Sequence, residues 1–211
     1  MAYDLEEQEQ IATIKSWWQQ YGNLVTTAVL ALTVGLAGVQ GWRYYRGQQA
    51  IAAATLYHQV EYAEHANDGK RVKEIAARLT EKYASTPYAA MAALRAAKVS
   101  AQANDLAAAR LSLQWVIDNA REDEQKDVAR MRLAGVLLDE KKFDEALKLL
   151  DTAHGAAFDG LYADMRGDIL AIQGKRAEAR AAYQTALEKF DARSNYRPLI
   201  QVKLDTLGDA K

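Results

Sequence analysis

The chain has no cysteine, which excludes a disulfide framework, a cysteine-ligated zinc site and a thiol nucleophile. Two prolines and 12 glycines in 211 residues are too few for a collagen or a disordered chain. Three histidines leave little room for imidazole chemistry. Neither sign of charge dominates: 27 Lys plus Arg stand against 28 Asp plus Glu, a formal net charge of −1. Without a basic surplus, nucleic acid is a poor partner. What the chain does have is alanine, 41 of them, a composition that favours helix. Its length suits one domain of moderate size plus something small.

Charge is also missing locally. No charged residue or histidine lies between Lys15 and Arg43. Gly22 to Trp42 would form a helix of roughly 31 Å, against a bilayer hydrocarbon thickness of roughly 30 Å. Trp17, Trp18 and Tyr21 precede it, and Trp42, Tyr44 and Tyr45 follow it. Aromatic rings with a polar handle prefer the two membrane–water interfaces. A cleaved signal peptide needs a basic start, whereas Asp4, Glu6, Glu7 and Glu9 outnumber Lys15 here. The expectation is a retained single-pass anchor. Residues 1–21 form an amphipathic lead-in with Ile11 and Ile14 on its apolar side, and 22–42 form the transmembrane helix. Residues 43–69 form a juxtamembrane connector and first helix. Within the span, Ala31, Gly35 and Gly38 make a small-residue face that either admits a second helix or simply meets lipid. Arg43 and Arg46 against Lys15 place the C-terminal part in the cytoplasm by a difference of one charge.

Residues 47–211 carry 24 basic and 24 acidic side chains with the signs interspersed, the mark of a solvated helical surface. Helical periodicity runs in segments separated by short turns: Ile51 to His65, Lys70 to Tyr83, Tyr88 to Ala103, Leu106 to Asn119, Gln125 to Asp139, Phe143 to Ala153, Leu161 to Gln173 and Arg176 to Phe190. A last segment, Pro198 to Leu207, places proline in a first turn, where its missing N–H costs little. No segment alternates with period two, so the expected fold class is all-α.

The turns Asn104-Asp105-Leu106, Lys141-Lys142-Phe143 and Gly174-Lys175-Arg176 align. Ala109, Ala146 and Ala179 then share one position, Leu113, Leu150 and Tyr183 the next, and Val116, Ala153 and Ala186 a third. Extension backwards by 34 residues lands on Ile75 and Leu79, with Pro87 closing the unit. On the preceding helices, Ala96-Ala97 with Ser100, Leu133-Ala134 with Leu137 and Arg166-Gly167 with Leu170 take matching places. Helix, turn, helix with a small residue at the crossing is the tetratricopeptide pattern, because two helices approach closely only where a side chain is small. Residues 70–211 are therefore expected to form a tetratricopeptide-like solenoid closed by Pro198 to Leu207 as a capping helix. By register, a concave face would be lined by Met91, Leu94, Lys98, Val128, Met131, Leu138, Leu161 and Asp164, unless these serve as inter-helix core.

Catalytic patterns are missing. The sequence holds no GxSxG, HExxH, P-loop or dinucleotide fingerprint. His58 and His65 are seven apart without a carboxylate pair, which suits surface residues better than metal ligands. Glu122-Asp123-Glu124 is too compact for a calcium loop. No enzyme activity, metal or cofactor is expected.

The acidic start, the aromatic pair, one span ending in Gly41-Trp42-Arg43-Tyr44-Tyr45 and degenerate repeats after it resemble the YfgM family, ancillary subunits of the bacterial SecYEG translocon. Asp164-Met165-Arg166-Gly167-Asp168 with Gly174 and Ala179-Arg180, and Tyr83 to Leu94, match the same family. The resemblance implies a bacterial inner-membrane protein with a cytoplasmic N-terminus and a periplasmic repeat domain, opposite to the one-charge count. It also implies partnership with SecYEG and with the periplasmic chaperone PpiD. A membrane-tethered interaction module at that place is expected to help transfer exported client proteins to other periplasmic chaperones. The alternative is a regulatory adaptor that sequesters a cytoplasmic stress-response regulator through residues 1–21.

Overall fold

A computed structural model describes residues 2–208, with side chains over 9–208. Asp4, Glu6 and Glu7 of the acidic start lie outside the described side chains. Among the described residues every long element is an α-helix and none is a strand. The helices are α1 (Ala2–His65), α2 (Gly69–Lys82), α3 (Pro87–Gln102), α4 (Leu106–Asn119), α5 (Asp123–Asp139), α6 (Phe143–Leu150), α7 (Asp159–Ile172), α8 (Arg176–Lys189) and α9 (Arg197–Thr206). One 3-10 turn, Ala156–Phe158, precedes α7. Internal contacts divide the chain into two compact units, one up to Gln49 and one from Ala50 onward.

The unit from Ala50 is a row of four helical hairpins, and the reason is visible in its turns. Asn67, Asn104, Lys141 and Gly174 each adopt a left-handed backbone, with φ of 54°, 60°, 60° and 76°. In each hairpin the next residue closes the same bond back over the turn. The amides of Asp68, Asp105, Lys142 and Lys175 donate to the carbonyls of Ala63, Ser100, Leu137 and Leu170 at 2.8–2.9 Å. This is a glycine-type C-cap used four times, and it satisfies helix-end carbonyls that would otherwise be orphaned. Asp68 and Asp105 then cap the following helix by accepting from the amides of Arg71 and Ala108. Lys142 and Lys175 stand at the equivalent places and make no side-chain cap.

The first hairpin is formed by the end of α1 with α2. Ala53, Tyr57, Val60 and Ala63 of α1 are buried with Val72, Ile75, Ala76 and Leu79 of α2. Packing of the repeat type therefore begins before residue 70. Its turn at Asn67 lies 37 residues before Asn104, not 34, so the position shared by Ala109, Ala146 and Ala179 is held by Val72 rather than Ile75. All four of those side chains have no exposure. The third hairpin also departs from expectation. α6 ends at Leu150, and Ala153 is exposed rather than packed.

The crossing of each hairpin shows why its residues differ. Gly167 approaches Tyr183 most closely in the fourth hairpin, and the same two positions are held, by register, by Val60 and Ala76, by Ala97 and Leu113, and by Ala134 and Leu150 in the first three. A large side chain on one helix accompanies a small one on the other. At Gly167 the approach is so close that a Cβ would lie 2.4 Å from Cε1 of Tyr183. The buried side chains form three successive clusters along the row. The last is closed by Ile200 and Leu204 of α9, with proline in the first turn of that helix.

Candidate functional site

Among the described residues, the unit up to Gln49 consists of helix alone. Its apolar side chains are uncovered: Leu24, Val29, Leu30, Leu32, Val34, Leu36 and Val39 are each more than half exposed. This helix is long and apolar enough to cross a membrane. Its threonines do not leave free hydroxyls. Thr26 donates to the Gly22 carbonyl at 2.9 Å, Thr27 to Asn23 at 2.7 Å and Thr33 to Val29 at 2.8 Å. A hydroxyl satisfied one turn back suits hydrocarbon, where no water can serve it. Ala31, Gly35 and Gly38 are exposed, and a Cβ at Gly35 or Gly38 would meet nothing within 4 Å. At the start, Trp17 lies 6.4 Å from Trp18 and 5.7 Å from Tyr21 between ring centroids. At the far end, Trp42 stacks on Tyr45 at 6.3 Å, with the Arg46 guanidinium 5.3 Å above Trp42. Tyr44 stays exposed.

In the unit from Ala50, the first helices of successive hairpins pack side by side, α3 against α5 and α5 against α7. The residues expected to line their common face divide into three groups. Met91 is exposed, and Val128 and Leu161 are half-buried. Leu94, Met131 and Leu138 pack against the central core cluster and contribute edges rather than free side chains. Lys98 and Asp164 are taken up in ion pairs. Lys98 donates to Glu64 at 2.8 Å, and Arg95 pairs with the same carboxylate. The Lys98 bond, with Arg95 adding and burial opposing, holds Glu64 below the usual carboxylate range. Asp164 accepts from Lys203 of the closing helix at 2.8 and 3.0 Å, and Lys203 also reaches Asp168 at 2.8 Å. Burial pushes Asp164 up despite Lys203, and the neighbouring Asp168 charge adds to the shift.

The sequence pattern had not singled out Glu64, Arg95, Arg132 or Lys203. Arg95 and Arg132 are 37 residues apart, the spacing of the turns, and that interval was the available signal. A cavity of about 700 Å³, which no sequence pattern announces, is bounded by α4, α5 and α6 and lined by Leu111, Leu133, Leu137 and Leu149 among others.

A buried clasp spans the segment after the shortened α6. Asp127 on α5 is 2% exposed, and it accepts from Arg130 at 2.7 Å and from the Gly155 amide at 2.9 Å. Tyr162 donates its hydroxyl to the Asp127 carbonyl at 3.1 Å. Burial, reinforced by the Asp127 charge, pushes the Tyr162 phenol up to about 12. His154 stacks on the Tyr162 ring with centroids 3.9 Å apart. This arrangement fixes a loop. Among the described residues no group of three His, Asp or Glu side chains is placed to hold a metal ion.

The chain matches the model of a tetratricopeptide repeat-like domain over residues 15–209. It is 34% identical over 208 residues to a Neisseria gonorrhoeae protein named ancillary SecYEG translocon subunit, covering 98% of this chain and all of the relative. A protein of the same name from Escherichia coli K12 is 28% identical, over 95% of this chain and 96% of its own length. Another from Haemophilus influenzae is 28% identical over 188 residues.

Proposed function

We propose, because this chain belongs to the tetratricopeptide repeat-like family of ancillary SecYEG translocon subunits, that it is a membrane-anchored interaction protein of the secretion machinery. It performs no catalysis. One helix holds it in the bacterial inner membrane with the N-terminus in the cytoplasm and the repeats in the periplasm. Its repeats link SecYEG to the chaperone PpiD and help pass exported chains to other periplasmic chaperones.

The observation that supports this most is the pairing, in one chain, of an uncovered apolar helix with a row of four hairpins. Such rows present an elongated face to a peptide or helix. The anchor confines that face to the neighbourhood of the translocon, so a contact of modest affinity suffices through raised effective concentration. Met91, Val128 and Leu161 are the side chains available on the face, and Ala31, Gly35 and Gly38 offer a second contact within the membrane. Site-specific photo-crosslinking in native membranes tests this, with the probe at Met91 or at Gly35. SecY, PpiD or an exported chain should be captured from at least one position. Capture of none of them from either would defeat the reading.

A further inference from the structure

The repeat register carries an inference about partner chemistry. Arg95 on α3 and Arg132 on α5 occupy the same position in successive hairpins, 37 residues apart. Arg95 finds a carboxylate, Glu64, supplied by the preceding hairpin. The residue 37 positions after Glu64 is Ala101, so the hairpin preceding Arg132 supplies a methyl group where a carboxylate stood. Arg132 instead donates at 3.5 Å to the Leu94 carbonyl, a marginal bond. It makes no ion pair with any described carboxylate within 4.0 Å. Arg95 and Lys98 already share Glu64, and Asp164 and Asp168 are engaged by Lys203. Glu61 pairs with His58. Of the three cations Arg95, Lys98 and Arg132, the first two share Glu64 and the third pairs with no described carboxylate. Arg132 is accessible to solvent, and partial desolvation first, with the Arg95 charge second, lowers its proton affinity.

We propose that Arg132, at the register position where Ala101 stands in place of a carboxylate, binds an Asp or Glu side chain of an acidic peptide segment lying across α3 and α5. The planar guanidinium fork matches a carboxylate, and Val128, one turn before Arg132 on α5, with the exposed Met91 on α3, would receive the peptide's apolar neighbours. The occupant is a peptide, because the cation sits beside apolar side chains on a face shaped by packed helices. This rests on the reading of that face as protein-binding.

The test uses the full chain in nanodiscs of neutral lipid. The probe is a fluorescein-labelled peptide in which Asp and Glu alternate with Leu and Ser. The control is the same peptide with Asn and Gln. The wild type should prefer the acidic probe by about tenfold, in line with one charge-assisted bond. Arg132→Gln should abolish the preference. Ala101→Glu, which supplies the missing carboxylate from within the chain, should abolish it too while raising the melting temperature. Equal binding of both probes by the wild type would overturn the proposal, as would a preference that survives either substitution. If crosslinks from Met91 persist while both probes bind alike, the carboxylate inference alone has failed. If Met91 captures nothing, the protein-binding reading has failed with it.

Discussion

Gly167→Ala is the most discriminating change in the repeat core. On propensity alone, replacing a helical glycine by alanine gains about 1 kcal/mol. The structure opposes that gain. A Cβ at residue 167 would sit 2.4 and 2.5 Å from two carbons of Tyr183, well inside the 3.4 Å at which ordinary contact begins. The ring cannot retreat cheaply. It is 3% exposed, and its hydroxyl donates to Asp168 at 2.8 Å. Overpacking of this kind costs about 1–3 kcal/mol, and displacing the hydroxyl costs about 1 more. The net expectation is a loss of about 1–3 kcal/mol, a fall in melting temperature of about 2–10 °C for a domain of this size. The second and third hairpins already contain the remedy, alanine matched with leucine. Gly167→Ala combined with Tyr183→Leu should therefore be more stable than either single variant. The measurement is thermal unfolding followed by circular dichroism. A Gly167→Ala chain as stable as the parent, or a double variant no better than both singles, would refute the reasoning.

Other outcomes follow from the same structure. Asp127→Ala strands Arg130 and the Gly155 amide and should cost about 2–4 kcal/mol in urea unfolding, with early proteolytic cleavage in the loop at 151–158. Lys141→Gly removes a side chain from a left-handed turn where the fourth hairpin already uses glycine, and should stabilise by about 0.5–1 kcal/mol. Glu64 is held below the usual carboxylate range by Lys98 first and Arg95 as well, with burial opposing. Its contribution is full above the ordinary glutamate range and is lost as pH falls through the lower folded value. Glu64→Gln should therefore lower stability at neutral pH and flatten its decline in acid, as read by melting temperature against pH. Leu32→Arg places a charge at mid-span at a cost of about 2.5–3.5 kcal/mol, and should release part of the chain from vesicles in alkaline carbonate.

Much of this architecture was legible in the residues. The absence of charge from 16 to 42 marks the apolar helix, and the turn triplets starting at Asn104, Lys141 and Gly174 mark three hairpins within a residue or two. The first hairpin is offset from expectation because a step of 34 residues back from Ala109 reaches Ile75, whereas its turn at Asn67 lies 37 residues before Asn104. The equivalent position is Val72, which is not small and so carries no alanine signal to mark it. The expected helix runs three residues past the end of α6 because Asp151, Thr152 and Ala153 do not forbid helix. The clasp from Asp127 to Gly155 and Tyr162 joins residues 28 and 35 apart, and no local pattern announces it. Side-chain pairing across hairpins was hidden for the same reason. Lys203 meets Asp164 only once α9 has folded over α7 and α8.

A single topology measurement bears hardest on the whole account. A reporter enzyme that is active only outside the cytoplasm is fused after Lys211 in a Gram-negative cell, and its activity is read in intact cells. The account predicts high activity, with the repeats on the periplasmic side of the inner membrane. An inactive reporter on a chain that is otherwise produced and membrane-bound would put the repeats in the cytoplasm, away from every exported chain and periplasmic chaperone they are proposed to serve.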